Sequence, residues 1–340
     1  MRKYLLPGTG NFYKANLHCH TILSDGKCTP EEVKQIYKDL GYSVVAYTDH
    51  DIFIPHNNLT DGEFLALNGF EMETNEPKKW EEGPKTCHLC YIALEKDQEI
   101  QPMWHRTGYR FRNAVENAKF VKFDESEPDY VRRYSSEGIS EMMKIGRDKG
   151  FFVTYNHPTW SLEQYPEYIG YTGMNAMEMF NGSCLVGGFE DYNPRVYDDI
   201  VKSGKRISCV AGDDNHNSSP GTRKWDSGVA FTMIKAENLE YRTITKALEN
   251  GDCYASMGPE IYELWYEDGK VHIKCSDADM ISFNYDKRKA NAFYAKDGEE
   301  FINEATVTIP ENVTYFRITV TDKFGKKACT KAYFVDEINK

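Results

Sequence analysis

The sequence predicts an α/β barrel followed by a smaller, all-β domain. Three observations carry that reading. Apolar strand-like runs alternate with helix-period segments through the first 257 residues, the pattern of parallel strands with helices outside. Histidines and carboxylates collect at the ends of those runs. From Pro259 onward the period changes to plain alternation of apolar and polar residues.

Residues 13–20 read as a strand ending in "LHCH", with His18 and His20 one residue apart and "SDG", carrying Asp25, just beyond. Residues i and i+2 of a strand share a face, so the two imidazoles project together. Thr29, Pro30 and Glu32 then form a capping box at the start of a helix whose apolar residues are Val33, Ile36, Tyr37 and Leu40. "YSVVAYTDHD" is the next strand and ends in Asp49 and His50. "EFLALNGFEMET" carries Glu71 and Glu73, and "CHLCYIAL" is a short strand with His88. A helix capped by Ser135 or Ser136 leads into "FFVTYNHP" with His157. "NAMEMFNG" carries Glu178 and Asn181. "NPRVYDDIVKSGK", with Asn193 as N-cap, precedes "ISCVAGDDNH", which ends in Asp213, Asp214 and His216. "LEYRTITKALENGD" is the last amphipathic helix.

Beyond it, "KVHIKCS", "ATVTIP", "TYFRITVTD" and "KACTKAYFV" are rich in β-branched and aromatic residues. The expected organisation is therefore a barrel over 1–258 and a β-sandwich-like domain over 259–340. His272 falls in that tail and reads as a surface strand residue. The irregular stretch 99–135, with "MWHRTGYRFRNA" and "KFVKF", reads equally as a substrate lid, a solvated excursion or an oligomer contact.

The net charge of −12 argues against a nucleic-acid partner. No apolar run approaches a membrane span, and the start has too short an apolar run for a signal peptide. Nine cysteines without a paired CxxC pattern suit a reduced, cytoplasmic protein.

The strand-end donors are His18, His20, Asp25, His50, Glu71, His88, His157, Asp214 and His216. Imidazoles beside carboxylates suit Zn, Mn or Fe, and the mixture is neither an all-oxygen calcium site nor a thiolate site.

"HCH…SDG", "YTDHD", "GFEME", "NHP" and "GDDNH" resemble, in order, the signature segments of the PHP (polymerase and histidinol phosphatase) metallohydrolase family, over roughly residues 14–257. The join "GDCYASMGPEI" before a β-rich tail is similar to the PHP-containing group related to carbaryl-hydrolysing enzymes. The family resemblance implies a distorted (β/α)7 barrel with two or three divalent ions. It implies that His18, His20, Glu71 and Asp214 hold one ion, and that Glu71 bridges to a second held by His88 and His157. Asp25, His50 and His216 would hold a third. Several family members have His where this chain has Asp25.

The leading functional expectation is hydrolysis of a small phosphate ester by a metal-bridging hydroxide. Asp214 is the candidate proton carrier. Arg195 is the candidate phosphate clamp, with Arg223 and Lys224 next. The alternative is a carboxyl- or carbamate-ester hydrolase using the same centre, and a third reading is a metal-binding regulatory module without turnover.

Overall fold

The computed structural model describes residues 2–296 and 298–338; Met1, Asp297, Asn339 and Lys340, which fall within the expected domains, lie outside the described residues. Strand β1 (Lys3–Tyr4) is followed by β2 (Asn11–Asn16) and helix α1 (Pro30–Asp39). The Thr29 side chain accepts from the Glu32 amide and Glu32 answers to the Thr29 amide, so the expected capping box forms. Strands β3 (Val44–Tyr47), β4 (Leu65–Asn75) and β5 (Thr86–Ala93) come next, then the one-turn α2 (Ala114–Asn117). Helix α3 (Ser136–Asp148) is capped by Ser135, and leads into β6 (Phe151–Tyr155) and α4 (Tyr165–Tyr168). Then follow β7 (Ala176–Asn181), α5 (Gly182–Gly187), α6 (Pro194–Lys202) and β8 (Ser208–Gly212). Strand β9 (Phe231–Ala236), helix α7 (Tyr241–Asn250) and β10 (Cys253–Ser256) complete the first part.

The tail is almost wholly β: β11 (Ile261–Glu267), β12 (Lys270–Ala278), β13 (Met280–Tyr285), β14 (Ala290–Tyr294), β15 (Ile302–Thr308), β16 (Tyr315–Thr321), β17 (Lys327–Thr330) and β18 (Tyr333–Phe334), with a closing turn α8 (Val335–Ile338).

The architecture is mixed α/β, built on one 14-stranded sheet and one 4-stranded sheet. Strands β2, β3 and β4 are parallel, as are β6, β7 and β8. Strand β5 departs from the expected alternation: it runs antiparallel to both β4 and β6. At the far end β8 comes back beside β2 through a bridge between Cys19 and Asn215 and a bond from the Asp214 amide to the His18 carbonyl at 2.8 Å. Beneath these strand ends the interior is filled by Ala15, Val44, Leu65, Ile92 and Val210, with Ile244 and Leu248 of α7 packed against them.

The tail is stitched to the first part. Strand β10 pairs with β17, and β1 pairs with β11. Arg317 on β16, 5 % exposed, reaches Asp198 on α6 with two bonds of 2.8 and 2.9 Å. His272 lies on β12, where its ring stacks on Trp265 at 4.9 Å and Thr306 meets its Nδ1. All nine cysteines are free. No helix among the described residues is long and apolar enough to cross a membrane.

Candidate metal centre

Nine side chains expected from the strand ends meet in one buried cluster. His18 and His20 follow β2 and bring their Nε2 atoms to 3.2 Å. Two glycines make room for them. A Cβ at Gly212 would stand 2.6 Å from the His18 Cβ, and one at Gly26 would stand 2.6 Å from the His20 carbonyl oxygen. The loop bearing Asp25 is shaped by Asp49, which accepts from the Thr21 amide at 2.8 Å, the Thr21 hydroxyl at 2.8 Å and the Ser24 hydroxyl at 2.6 Å. Asp49 therefore holds the loop and bonds no imidazole. Asp213 does similar work on the other side, accepting from the amides of Gly228, Val229 and Ala230.

Glu71 is the hub. Its Oε1 lies 3.1 Å from His18 Nε2, 3.1 Å from His88 Nδ1 and 3.4 Å from His157 Nε2. Its Oε2 lies 3.2 Å from His50 Nδ1 and 3.4 Å from His20 Nε2. Asp214 Oδ1 approaches His20 Nε2 at 2.9 Å and His18 Nε2 at 3.3 Å. Asp25 lies 3.3 Å from His216, 3.7 Å from His20 and 4.0 Å from His50. His157 and Asp214 have positive φ, 26° and 52°, a strained backbone that aims both side chains inward.

The donors sort by proximity into overlapping sets. His20, Asp25, His50 and His216 form one, His18, His20 and Asp214 a second, and His50, Glu71 and His88 a third. The chemistry of the cluster fits a metal. Glu71 Oε2, His50 Nδ1 and His20 Nδ1 are buried with no hydrogen-bond partner. Leaving such atoms unpaired is costly, so groups that stay unpaired within one cluster need another partner. A divalent ion that takes nitrogen and oxygen supplies it.

Electrostatics agree. Burial opposes a charge on His157, but Glu71, Asp214 and Glu178 outweigh it and raise its pKa to about 9. Burial, helped by the charge of His20, pushes His50 down to about 3. Burial opposes ionisation of Asp214, yet His18, His20 and His216 hold it ionised far below the usual carboxylate range. A cation entering the cluster competes with the proton held by His157.

A second layer was not read from the sequence. Glu178, 2 % exposed, accepts from His18 Nδ1 at 2.8 Å through Oε1. Its Oε2 accepts from the His157 amide at 3.1 Å and Asn181 Nδ2 at 3.0 Å. Asn181 also donates to Asp214 Oδ2 at 3.2 Å and caps α5 through Cys184 N. Asn156 donates to Glu71 Oε1 at 3.2 Å and to Cys90 Sγ at 3.0 Å. Glu73 Oε2 lies 3.5 Å from His88 Nε2. The available signal was a carboxylate, Glu178, inside the apolar run "AMEMF", where an unpaired charge could not stay.

A cleft of about 510 Å³ opens over the cluster. It is lined by Asp25, His50, Glu71, His88, His157, Asp214 and His216 below. Arg195 does not line it. Its side chain is 81 % exposed and its Nε bonds Asp199 at 2.9 Å, one turn along its own helix. Two features displace it. Helix α5, not α6, follows β7 at the strand end, and Asn193, expected as the α6 cap, makes no capping bond. Asn193 instead accepts from Thr159 at 2.7 Å and donates to Asp191. Arg223 and Lys224 are exposed and also lie off the cleft. The arginine that lines it is Arg112, in the 99–135 stretch. That stretch is pinned beside the Asp25 loop by Asn113 to the Ile22 carbonyl at 2.8 Å and Asn117 to the Leu23 carbonyl at 3.0 Å.

Three solved structures are similar to the chain over most of their own length. A two-domain protein from Bacteroides vulgatus, described as containing a predicted PHP-like metal-dependent phosphoesterase, is 14 % identical with a TM-score of 0.44, over 97 % of this chain and 98 % of that one. A protein from Bifidobacterium adolescentis, named for an expected metal-dependent phosphoesterase activity, is 15 % identical with a TM-score of 0.36, over 64 % of this chain and 91 % of that one. An amidohydrolase from Chromobacterium violaceum, with bound sulfate and no metal, is 16 % identical with a TM-score of 0.35, over 61 % and 88 % of the two chains. No family model matches the sequence, and no curated protein does.

Proposed function

We propose that the protein is a metal-dependent hydrolase that cleaves a small phosphate ester. The observation that carries this reading is the convergence of four imidazoles and three carboxylates at one cleft floor, with His18 and His20 buried against the same carboxylates and with Glu71 Oε2 and His50 Nδ1 buried 3.2 Å apart and without a hydrogen-bond partner. His18, His20, Glu71 and Asp214 would hold one ion, Glu71, His88 and His157 a second, and Asp25, His50 and His216 a third. Bound there, Zn, Mn or Fe would supply Lewis acidity toward a phosphoryl oxygen and lower the pKa of water toward neutrality.

The chain's own groups do the rest. Asp214 holds charge at the floor, and as a carboxylate lining the cleft it is the candidate proton carrier. Glu178 fixes the His18 ring so that Nε2 faces Glu71 and Asp214. Trp160 stands edge-on to His88 and His157 at 5.4 and 5.1 Å, and Phe111 lies against His50 at 5.1 Å, so aromatic rings flank the donors. Arg112 takes the clamp role that the sequence reading gave to Arg195.

The same reading treats β2 to β8 as a distorted seven-stranded barrel within 1–258 and residues 259–340 as a β-sandwich-like unit braced against it. The nine free cysteines favour a reducing compartment such as the cytoplasm. Metal analysis of purified protein, with turnover of phosphomonoesters, phosphodiesters and neutral carboxyl esters, tests the proposal. Two or three ions per chain and phosphoester cleavage are expected. One ion or none in a metal-replete preparation refutes the centre, and cleavage of neutral esters alone replaces phosphoesters with the carboxyl- or carbamate-ester alternative.

A further inference from the structure

The walls of the cleft say more about the substrate than its floor does. Above the donors it is lined by Phe111, Trp160 and Phe189, with Arg112, Glu73 and Ser183 as the ionic and hydroxyl groups. Phe111 and Trp160 rise on two sides of the His50–His88 edge, whose ring centroids are 5.7 Å apart. Phe189 stands on the connection after α5, 44 % exposed.

Arg112 is set apart from its neighbours. Arg106 pairs with Asp129 at 2.7 Å, Arg132 with Asp51 at 2.5 Å, and Arg133 with Glu141. Arg110 donates to the carbonyls of His105 and Arg106 at 2.6 and 2.7 Å. Among the described residues Arg112 has no ion pair, and its guanidinium lies 5.8 Å from the Phe111 ring. Its φ of 48° is a left-handed conformation that costs a side-chain-bearing residue energy. A strained backbone that presents an uncommitted guanidinium at the cleft is suited to gripping phosphate oxygens in parallel.

A polyol would need many hydrogen-bond partners to replace its water shell, and a site lacking them rejects it. These walls offer one hydroxyl and one carboxylate besides the floor. Three aromatic rings instead suit a flat, apolar group, and the volume suits a single small molecule. From this, and resting on the phosphoesterase reading above, we infer that the substrate is a phosphomonoester of a compound with a planar, largely apolar ring, its phosphate met by Arg112 and its ring by Phe111, Trp160 and Phe189.

Phosphonates test this without interference from leaving-group reactivity. Phenylphosphonate and methylphosphonate are titrated calorimetrically into metal-loaded protein. Phenylphosphonate is expected to bind at least about tenfold more tightly, the size of one to two aromatic contacts. The double variant Phe111→Leu/Phe189→Ala should bring that ratio close to one. Arg112→Met should weaken both ligands alike, by about tenfold, as loss of a charged hydrogen-bond donor does. Equal affinity of the wild type for the two phosphonates overturns the inference while leaving the phosphoesterase reading in place. So does failure of phenylphosphonate to bind a preparation that hydrolyses phosphoesters. If neither phosphonate binds and no phosphoester is cleaved, the phosphoesterase reading itself fails, and the inference with it.

Discussion

Replacing Glu178 by Gln removes one negative charge and almost no volume. Glu178 accepts three bonds: from His18 Nδ1 at 2.8 Å, the His157 amide at 3.1 Å and Asn181 at 3.0 Å. Ala would strand all three donors in the interior, and the fold could fail for that reason alone. Gln can still accept on one side, but its amide donates on the other. If that amide faces His18, Nδ1 must become an acceptor, and the ring proton moves to Nε2. Nε2 is the atom aimed at Glu71 and Asp214, at 3.1 and 3.3 Å, so the proton blocks the lone pair a metal would use. Loss of a carboxylate that orients a ligating imidazole costs roughly 10- to 100-fold in metal affinity, which is about 1.4 to 2.8 kcal/mol at 1.36 kcal/mol per tenfold. Competition with a chelator of known affinity measures the first effect. The ¹⁵N shifts of His18 report the tautomer directly, and circular dichroism checks the fold. Unchanged affinity together with an unchanged His18 tautomer would refute the argument, because the ring would then be fixed by something other than Glu178.

Asp214→Asn keeps the shape of the floor but removes its charge and basicity, so turnover should fall by at least about 100-fold with the fold intact; near-normal rates at full metal content would move the proton carrier elsewhere. Glu163 accepts from Tyr155 at 2.6 Å, from Tyr134 at 3.2 Å and from Tyr171, yet burial outweighs those bonds and lifts its pKa from 4.5 to about 7. The folded state thus keeps a proton that the unfolded chain has lost between those values, so stability falls as pH rises through that window, by about 3 kcal/mol in all. Glu163→Gln should therefore gain on the wild type in urea unfolding at pH 8 and not at pH 4.5, and a gain that does not depend on pH would contradict the raised pKa. Arg317→Ala leaves Asp198 without its guanidinium at the junction of β16 and α6, and should cost about 3 kcal/mol of unfolding free energy; a loss under about 1 kcal/mol would mean that the two parts do not depend on this pair.

The donors could be read from the sequence because metal chemistry restricts residue types and strand geometry restricts spacing. His18 and His20, the "TDHD" ending and the "GDDNH" ending each place nitrogen and oxygen just past an apolar run, and the cluster brings all of them together. Strand direction was harder. Both faces of β5 are buried, so its residues carry no sign of whether it runs parallel or antiparallel. One clue was present: only residues 76–85 separate β4 from β5, too short for the usual parallel crossover. The β9 strand was missed because six residues before a helix look like part of its approach.

The misplaced clamp has a similar cause. The sequence shows that a helix starts near Pro194, and it does, but local signals do not say which of two successive helices sits over the strand ends. "NGSCLVGG" forms α5 in that place, so Ser183 and Cys184 reach the cleft and Arg195 does not. Arg112 carries no sequence mark separating it from Arg106, Arg110, Arg132 and Arg133. What distinguishes it is tertiary: Asn113 and Asn117 fasten its segment to the Asp25 loop, the other four arginines are committed to other partners, and its own backbone is held at positive φ at the cleft. A metal floor can be written into short motifs because each ligand answers to the ion. A side chain such as Arg112 reaches the cleft only once a distant segment has docked, and so it is found by geometry.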